Sequence, residues 1–525
     1  MKQQQDKYDI LKTYYGYDTF RDGQEELIDC LLNDQDVCGI MPTGAGKSVC
    51  YQVPALLLPH VTLVVSPLIS LMKDQVRALN QMGVHAAYLN SSLSWNQYKK
   101  ALAYAKEGRY KIIYVAPERL LTEDFLDFAA STPISLLAVD EAHCVSQWGQ
   151  DFRPSYLKIP EFVRTLPIRP VIGAFTATAT REVREDIIRM LELSDPHVAV
   201  TGFDRKNLYF EVRHDKDKYR SIRDYLLAHP DSSGVIYCAT RKNVEEVCDR
   251  LLADGFRATR YHAGLSDEER RANQEAFTYD DAPIMVATNA FGMGIDKSNV
   301  RFVLHYNMPK NMESYYQEAG RAGRDGQPAR CTLLYSGTDV RTIRFFIDKE
   351  READNGLPAD VKAEAARKAE ERLKYMTFYS TTQHCLRGFL LQYFGEAAPK
   401  KCGNCSCCLA TEQEAQLQVE YARRRAAQSA DRLEKPRRAK PAAGSLSEAD
   451  EKLLNALYAV RKRLAGKQNL PAFMVFNDAT LREMAEKKPM SIDELLNISG
   501  VGEKKAARYG NAFLRVIEDA VGSRE

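Results

Sequence analysis

No stretch of this 525-residue chain is apolar for long enough to span a bilayer. The most apolar run, Val53 to Val65, is broken by Pro54, Pro59 and His60, and the N-terminus, Met1-Lys2-Gln3-Gln4-Gln5, has no apolar leader core. Neither secretion nor membrane insertion is expected, and a soluble cytoplasmic protein is. Charge of one sign is not in excess either. Lysine and arginine number 73 against 71 acidic residues, a net charge of +2, so a surface for nucleic acid must be a local patch, since the whole molecule cannot act as a basic cloud. Tryptophan is scarce, with two in the chain, which makes Trp148 conspicuous. Length is ample: 525 residues exceed what one core supports and imply three or four domains. Seven of the twelve cysteines are scattered singly between Cys30 and Cys331 and read as reduced, mostly buried thiols; the other five cluster.

From Val37 to about Leu191, short apolar runs (Val37 to Met41, Val61 to Ser66, Ile112 to Val115, Leu136 to Val139, Val171 to Phe175) alternate with longer amphipathic stretches. That alternation predicts a parallel sheet flanked by helices. A second series begins near Tyr209 and continues through Gly234 to Cys238, Ala258 to Tyr261, Ile284 to Ala287, Phe302 to His305 and Cys331 to Tyr335. The fold class expected is α/β, two such lobes in tandem at residues 1–205 and 206–350. A helical module over 351–410, a basic polar linker over 411–444 and a small all-helical domain over 445–525 follow.

Three separated segments carry chemistry. In the first, Met41-Pro42-Thr43-Gly44-Ala45-Gly46-Lys47-Ser48, a strand runs into a glycine turn and then a helix, so free N–H groups and the helix dipole converge on an anion. Thr43, Gly44 and Gly46 would form a phosphate cradle, with Lys47 neutralising the β- and γ-phosphates of ATP and Ser48 ligating Mg2+. Met41 stands where the general pattern has glycine. In the second, Asp140-Glu141-Ala142-His143, Asp140 would position the magnesium and Glu141 would be the base for the attacking water. His143 is either structural or a contact to the second lobe. In the third, Gln317 to Gly326, Arg321 and Arg324 would enter a cleft and meet charge developing on the γ-phosphate.

Trp148 and Phe152, beside Arg153, form either a stacking platform for unpaired bases or part of the core. Cys385, Cys402, Cys405 and Cys408 follow a C-x16-C-x2-C-x2-C spacing that suits a closed, structural Zn2+ site, with Cys407 and His384 as spare neighbours.

Phe20-Arg21-x-Gly-Gln24, the phosphate loop, Asp140 to Gly149, Phe175 to Thr180 and Gln317 to Gly326 occur in that order. So do Tyr261 to Leu265 and Ala290 to Asp296. Over residues 8 to about 408 the chain resembles RecQ-family DNA helicases. The resemblance implies two RecA-like lobes that close on ATP, 3′-to-5′ movement on single-stranded DNA, and unwinding of partly duplex DNA in recombination and repair. It also implies that Gln24 reads the adenine edge with help from Arg21, that Thr176 and Thr178 couple the lobes, and that the Trp148 loop links DNA contact to hydrolysis. Gln150 stands where family members often carry histidine. Residues 446–521 resemble the helical RNase D-like (HRDC) domain of the family, in which Gly500-Val501-Gly502 with Lys504 and Lys505 would either contact a DNA phosphate or serve protein contact. Residues 409–445 are fewer than the ~50 of a compact domain, so the winged-helix domain of many relatives is expected to be missing. A monomer in the nucleoid, with single-stranded-DNA-binding protein as a partner, completes the expectation. An RNA helicase, a translocase that does not unwind, and a zinc-dependent DNA-binding scaffold are the rival readings.

Overall fold

The computed structural model describes residues 6–146, 152–291, 297–353, 359–410, 448–468 and 470–522. Lobe 1 is built on seven strands: β1 Val37–Ile40, β2 Val61–Val65, β3 Ala86–Leu89, β4 Ile112–Val115, β5 Ile134–Val139, β6 Val171–Thr176 and β7 His197–Val200. They lie in the order β3-β4-β2-β5-β6-β1-β7, every pair parallel. Lobe 2 contains β8 Leu208–Arg213, β9 Gly234–Tyr237, β10 Ala258–Tyr261, β11 Ile284–Ala287, β12 Phe302–His305 and β13 Ala329–Leu334, ordered β10-β11-β9-β12-β13-β8 and again all parallel. Parallel strands need crossover helices, and helices on both faces bury the sheet. That is why the central strands β1, β2, β4 and β9 are apolar and buried end to end.

Ten of the strands were anticipated by apolar runs and one, β8, by its approximate start. The two outside that pattern, β3 and β7, are the opposite edges of the first sheet. An edge strand has a neighbour on one side only, and β7 shows it: of its four residues one, Ala199, is buried.

After β13 come the helices Gly337–Glu352, Ala359–Thr381 and Leu386–Tyr393, followed by a short loop bearing Cys402 to Cys408. The C-terminal residues fold into Glu448–Lys467, Ala472–Val475, Asp478–Lys487, Ile492–Leu495 and Glu503–Gly522 around a core of their own that includes Leu457, Leu481, Met484, Leu495 and Phe513. Among the described residues no helix is long and apolar enough to cross a membrane. The predicted basic linker falls on residues outside those described.

Candidate active site

In a parallel sheet the carboxyl ends of the strands form the ligand edge. β1 ends there in the phosphate loop, and the helix Lys47–Leu57 starts directly after it. Gly46 has φ of +86°, and a Cβ on it would stand 2.6 Å from Gln24 Nε2, so both backbone conformation and space require glycine. The Gln24 amide braces the loop, donating to the carbonyls of Ala45 (3.0 Å) and Gly46 (3.1 Å) while its oxygen accepts from Arg21 N (2.9 Å). Arg21 Nη1 donates to Gly44 O at 2.6 Å. The two residues expected at the adenine thus also hold the phosphate loop in shape.

Asp140 follows β5, next to β2 and two strands from β1. Its amide donates to Val65 O (2.9 Å), its carbonyl accepts from Tyr156 OH (2.8 Å) and its carboxylate accepts from Glu141 N (3.0 Å). Burial pushes the Asp140 carboxyl up to about 7, the neighbouring Glu141 adds to the rise, and Lys47 opposes it. Burial likewise lowers the Lys47 pKa, against the pull of Glu141 and Asp140. A buried carboxylate with a like charge beside it fits a hard divalent cation, which would restore its ordinary acidity.

Glu141 has φ of 48°, in the left-handed region. Its Oε2 lies 3.3 Å from His143 Nδ1, which is 2.8 Å from Thr176 Oγ1 at the end of β6. The Thr176 hydroxyl in turn accepts from Thr178 N (3.3 Å) and donates to Thr178 O (3.2 Å), and Thr176 O accepts from Met41 N (3.0 Å). His143 is therefore joined to Thr176 of its own lobe, and one chain of contacts runs from Glu141 to the start of the phosphate loop.

Lobe 2 completes the pocket. The buried helix Met312–Ala319, capped by Asn311, leads into Gly320 to Gly326. Arg321 and Arg324 line the same cavity of about 710 Å³ as Arg21, Gln24, Thr43, Gly44, Gly46, Lys47, Ser48, Asp140 and Glu141. A Cβ on Gly44 would come 3.5 Å from Arg324 Cα. Residues expected at the nucleotide, Ser48 and Arg321 among them and 273 positions apart in sequence, thus line one crevice.

Sequence reasoning missed a third wall. Asn477, Ala479, Thr480, Glu483 and Ser499 of the C-terminal domain line this cavity too. The domain is fastened to lobe 1 by its glycine turn: Gly500 N donates to Gly16 O at 3.1 Å, and Lys12 Nζ donates to Leu496 O at 3.1 Å. Gly16 (φ +74°) has no room for a Cβ, which would fall 2.4 Å from the Val501 carbonyl carbon. The turn read as a phosphate or protein contact meets the chain's own backbone here. No local motif announces such a docking.

Of the expected DNA-contacting residues, Trp148 lies outside the described residues. Phe152 is half-buried, and Arg153 is anchored, its amide on Cys144 O (2.9 Å) and its Nη1 on Pro67 O (3.1 Å).

The sulfurs of Cys385, Cys402, Cys405 and Cys408 all lie within 4.8 Å of one another, with Cys402 and Cys408 at 4.0 Å. A tetrahedral zinc site has sulfurs about 3.8 Å apart, so the four fit the ion. Gly388 N and Asn404 N donate to the Cys385 and Cys402 sulfurs (3.3 and 3.4 Å), the amide contacts that support bound thiolates. Cys407 points away, to Thr382 O.

The comparisons agree with this layout. Residues 21–186 match the DEAD/DEAH box helicase family, 217–326 the helicase conserved C-terminal domain, 337–409 the RecQ zinc-binding family and 450–517 the HRDC domain. The chain is 40% identical to the ATP-dependent DNA helicase RecQ of Bacillus subtilis, over 97% of this chain and 98% of that one. Identity is 35% to its counterpart in Pasteurella multocida, over 97% and 93%. Among solved structures, S. cerevisiae Dbp5 bound to RNA and ADP BeF3 superposes with a TM-score of 0.51 at 18% identity, over 68% of this chain and 94% of that one, a likeness of fold. With two parallel-sheet lobes, a four-cysteine zinc module and a helical C-terminal domain in family order, the chain belongs to the RecQ family of ATP-dependent DNA helicases.

Proposed function

We propose that this helicase moves 3′ to 5′ along single-stranded DNA, that DNA stimulates its ATP turnover, and that it acts as a monomer in recombination and repair at the nucleoid, alongside single-stranded-DNA-binding protein. The observation that carries the motor reading is the entry of Arg321 and Arg324 from lobe 2 into the cavity of Lys47, Ser48, Asp140 and Glu141; the direction rests on family membership.

Magnesium held by Ser48 and Asp140 would neutralise charge between the β- and γ-phosphates. Around it, Lys47 takes the phosphate charge, Glu141 orients and deprotonates water, and Arg321 with Arg324 meet negative charge as it develops, worth on the order of 10³ to 10⁵ in rate. Those arginines belong to the other lobe, so hydrolysis and release separate what binding drew together, and alternate grip on the strand follows. Gln24 and Arg21 select adenine, and Thr176 and Thr178 relay between the phosphate loop and the Asp140–His143 segment. Trp148, Phe152 and Arg153 form the base platform, and Cys385, Cys402, Cys405 and Cys408 hold zinc.

Strand separation tests the proposal. A 3′-tailed DNA duplex should open with ATP and stay closed with a non-hydrolysable analogue, while a 5′-tailed duplex and the matching RNA stay closed under both. Opening of the 5′-tailed substrate would reverse the direction. Trp148→Ala should keep basal turnover and lose stimulation by single strands; retained stimulation counts against the platform.

A further inference from the structure

Between β7 and β8 the chain runs from one lobe to the other through Phe203-Asp204-Arg205-Lys206-Asn207. Arg205 turns inward. Its Nη1 donates to Thr43 O in the phosphate loop and to Gly320 O (3.3 Å), and its Nη2 donates to Ala322 O (3.0 Å) and Gly323 O (2.7 Å). One planar cation thus ties the loop of lobe 1 to the segment bearing Arg321 and Arg324 in lobe 2. Asn207 Nδ2 adds bonds to Gly323 O (2.9 Å) and Gln327 O (2.8 Å). The partners of the guanidinium are backbone carbonyls and the Asn207 amide oxygen (3.4 Å). Its five donors in a fixed fork can serve both lobes at once, which the compact ammonium of lysine cannot.

The zinc module grips this linker. Arg387, two positions after Cys385, donates to the Asp204 carboxylate and to the carbonyls of Arg205 (2.7 Å) and Leu208. Asn404, inside the cysteine loop, donates to Lys206 O (3.1 Å) and Leu208 O (3.2 Å). Glu396 accepts from Phe203 N, and the Phe203 and Phe394 rings stack with centroids 4.4 Å apart. The module also braces the helix before the arginines, through Tyr379 OH to Tyr315 OH (3.0 Å) and Tyr393 OH to Glu313 (2.7 Å).

We propose that Arg205 is a positioning residue for ATP hydrolysis: it sets the separation of the phosphate loop from Arg324, and the zinc module sets where Arg205 stands. This rests on the reading of Arg324 as the group that meets the γ-phosphate. A displacement of about 1 Å at a reacting group can cost about 100-fold in rate, and Arg205 is placed to prevent one.

The test uses the full chain, with ATP turnover measured in saturating single-stranded DNA for Arg205→Gln, Arg324→Ala and the double variant. Arg205→Gln should keep its zinc, its melting curve and its affinity for a non-hydrolysable ATP analogue within about 3-fold, while kcat falls about 100-fold. Arg205→Lys, which keeps charge and bulk, should show the same loss. In the Arg324→Ala background Arg205→Gln should cost less than about 3-fold more, because residues acting as a unit are not additive. A kcat within about 2-fold of wild type in both Arg205 variants overturns the proposal, as does a loss that persists in full on top of Arg324→Ala or one that follows loss of zinc. Undiminished turnover in Arg324→Ala alone would sink the underlying reading and this inference with it.

Discussion

Glu141 occupies a backbone conformation that costs a non-glycine residue about 1 to 3 kcal/mol, and the bonds of Asp140 to Val65, Tyr156 and Glu141 hold it there. In that conformation Glu141 lines the same cavity as Lys47, with its Oε2 3.3 Å from His143 Nδ1. Replacement by an isosteric amide keeps that shape and removes the proposed base. Glu141→Gln is expected to bind ATP as tightly as wild type and turn it over about 10² to 10⁴ times more slowly, checked by analogue binding beside single-turnover hydrolysis. Gly46→Ala is expected to lose nucleotide binding at least about 10-fold, since the added carbon meets Gln24 within 2.6 Å; titration with the same analogue reads it. Lys47 and Ser48 were legible because a glycine turn after a buried apolar strand leads into the helix they open, Asp140 and Glu141 because they follow the end of such a strand, and Arg321 and Arg324 because glycines flank them. Arg205 was not: carbonyls are present at every residue, so a side chain that bonds only backbone and an amide leaves no mark on the sequence.

At the scale of elements, the strands inside each sheet are the plainest in the sequence, apolar because both faces are covered, whereas β3 and β7, the two edges of the first sheet, pass for loop. The cysteine spacing spoke of a metal, but not of what the metal holds in place. Phe210 in β8 pairs with Cys405 by a parallel bridge, so the zinc loop continues the second sheet beyond its edge strand. Cys405→Ala is accordingly expected to lose bound zinc and to lower the first melting transition by about 5 °C or more. Metal analysis and calorimetry of the same sample check it. Unchanged melting with no metal would separate the loop from the stability of lobe 2.

For the whole molecule, the crevice proposed to hold ATP has three walls, and the third is fastened at Gly16 and Gly502. A Cβ on Gly502 would stand 2.9 Å from Thr13 O and 3.3 Å from Gly16 N. Gly502→Val should push the C-terminal domain off without straining lobe 1. The maximum dimension in small-angle scattering should rise, and KM for ATP should increase about 3- to 10-fold at unchanged kcat, the signature of lost uniform binding. An unaltered KM in a visibly extended molecule would make that wall a bystander.

The Lys12 to Leu496 bond joins residues 484 positions apart. A ribosome reading this message has long since released the phosphate loop when it reaches the segment that roofs it. Every nascent chain therefore passes through a stage with this cavity unroofed, and a message cut short before the codon for Asn477 would leave its product in that stage for good.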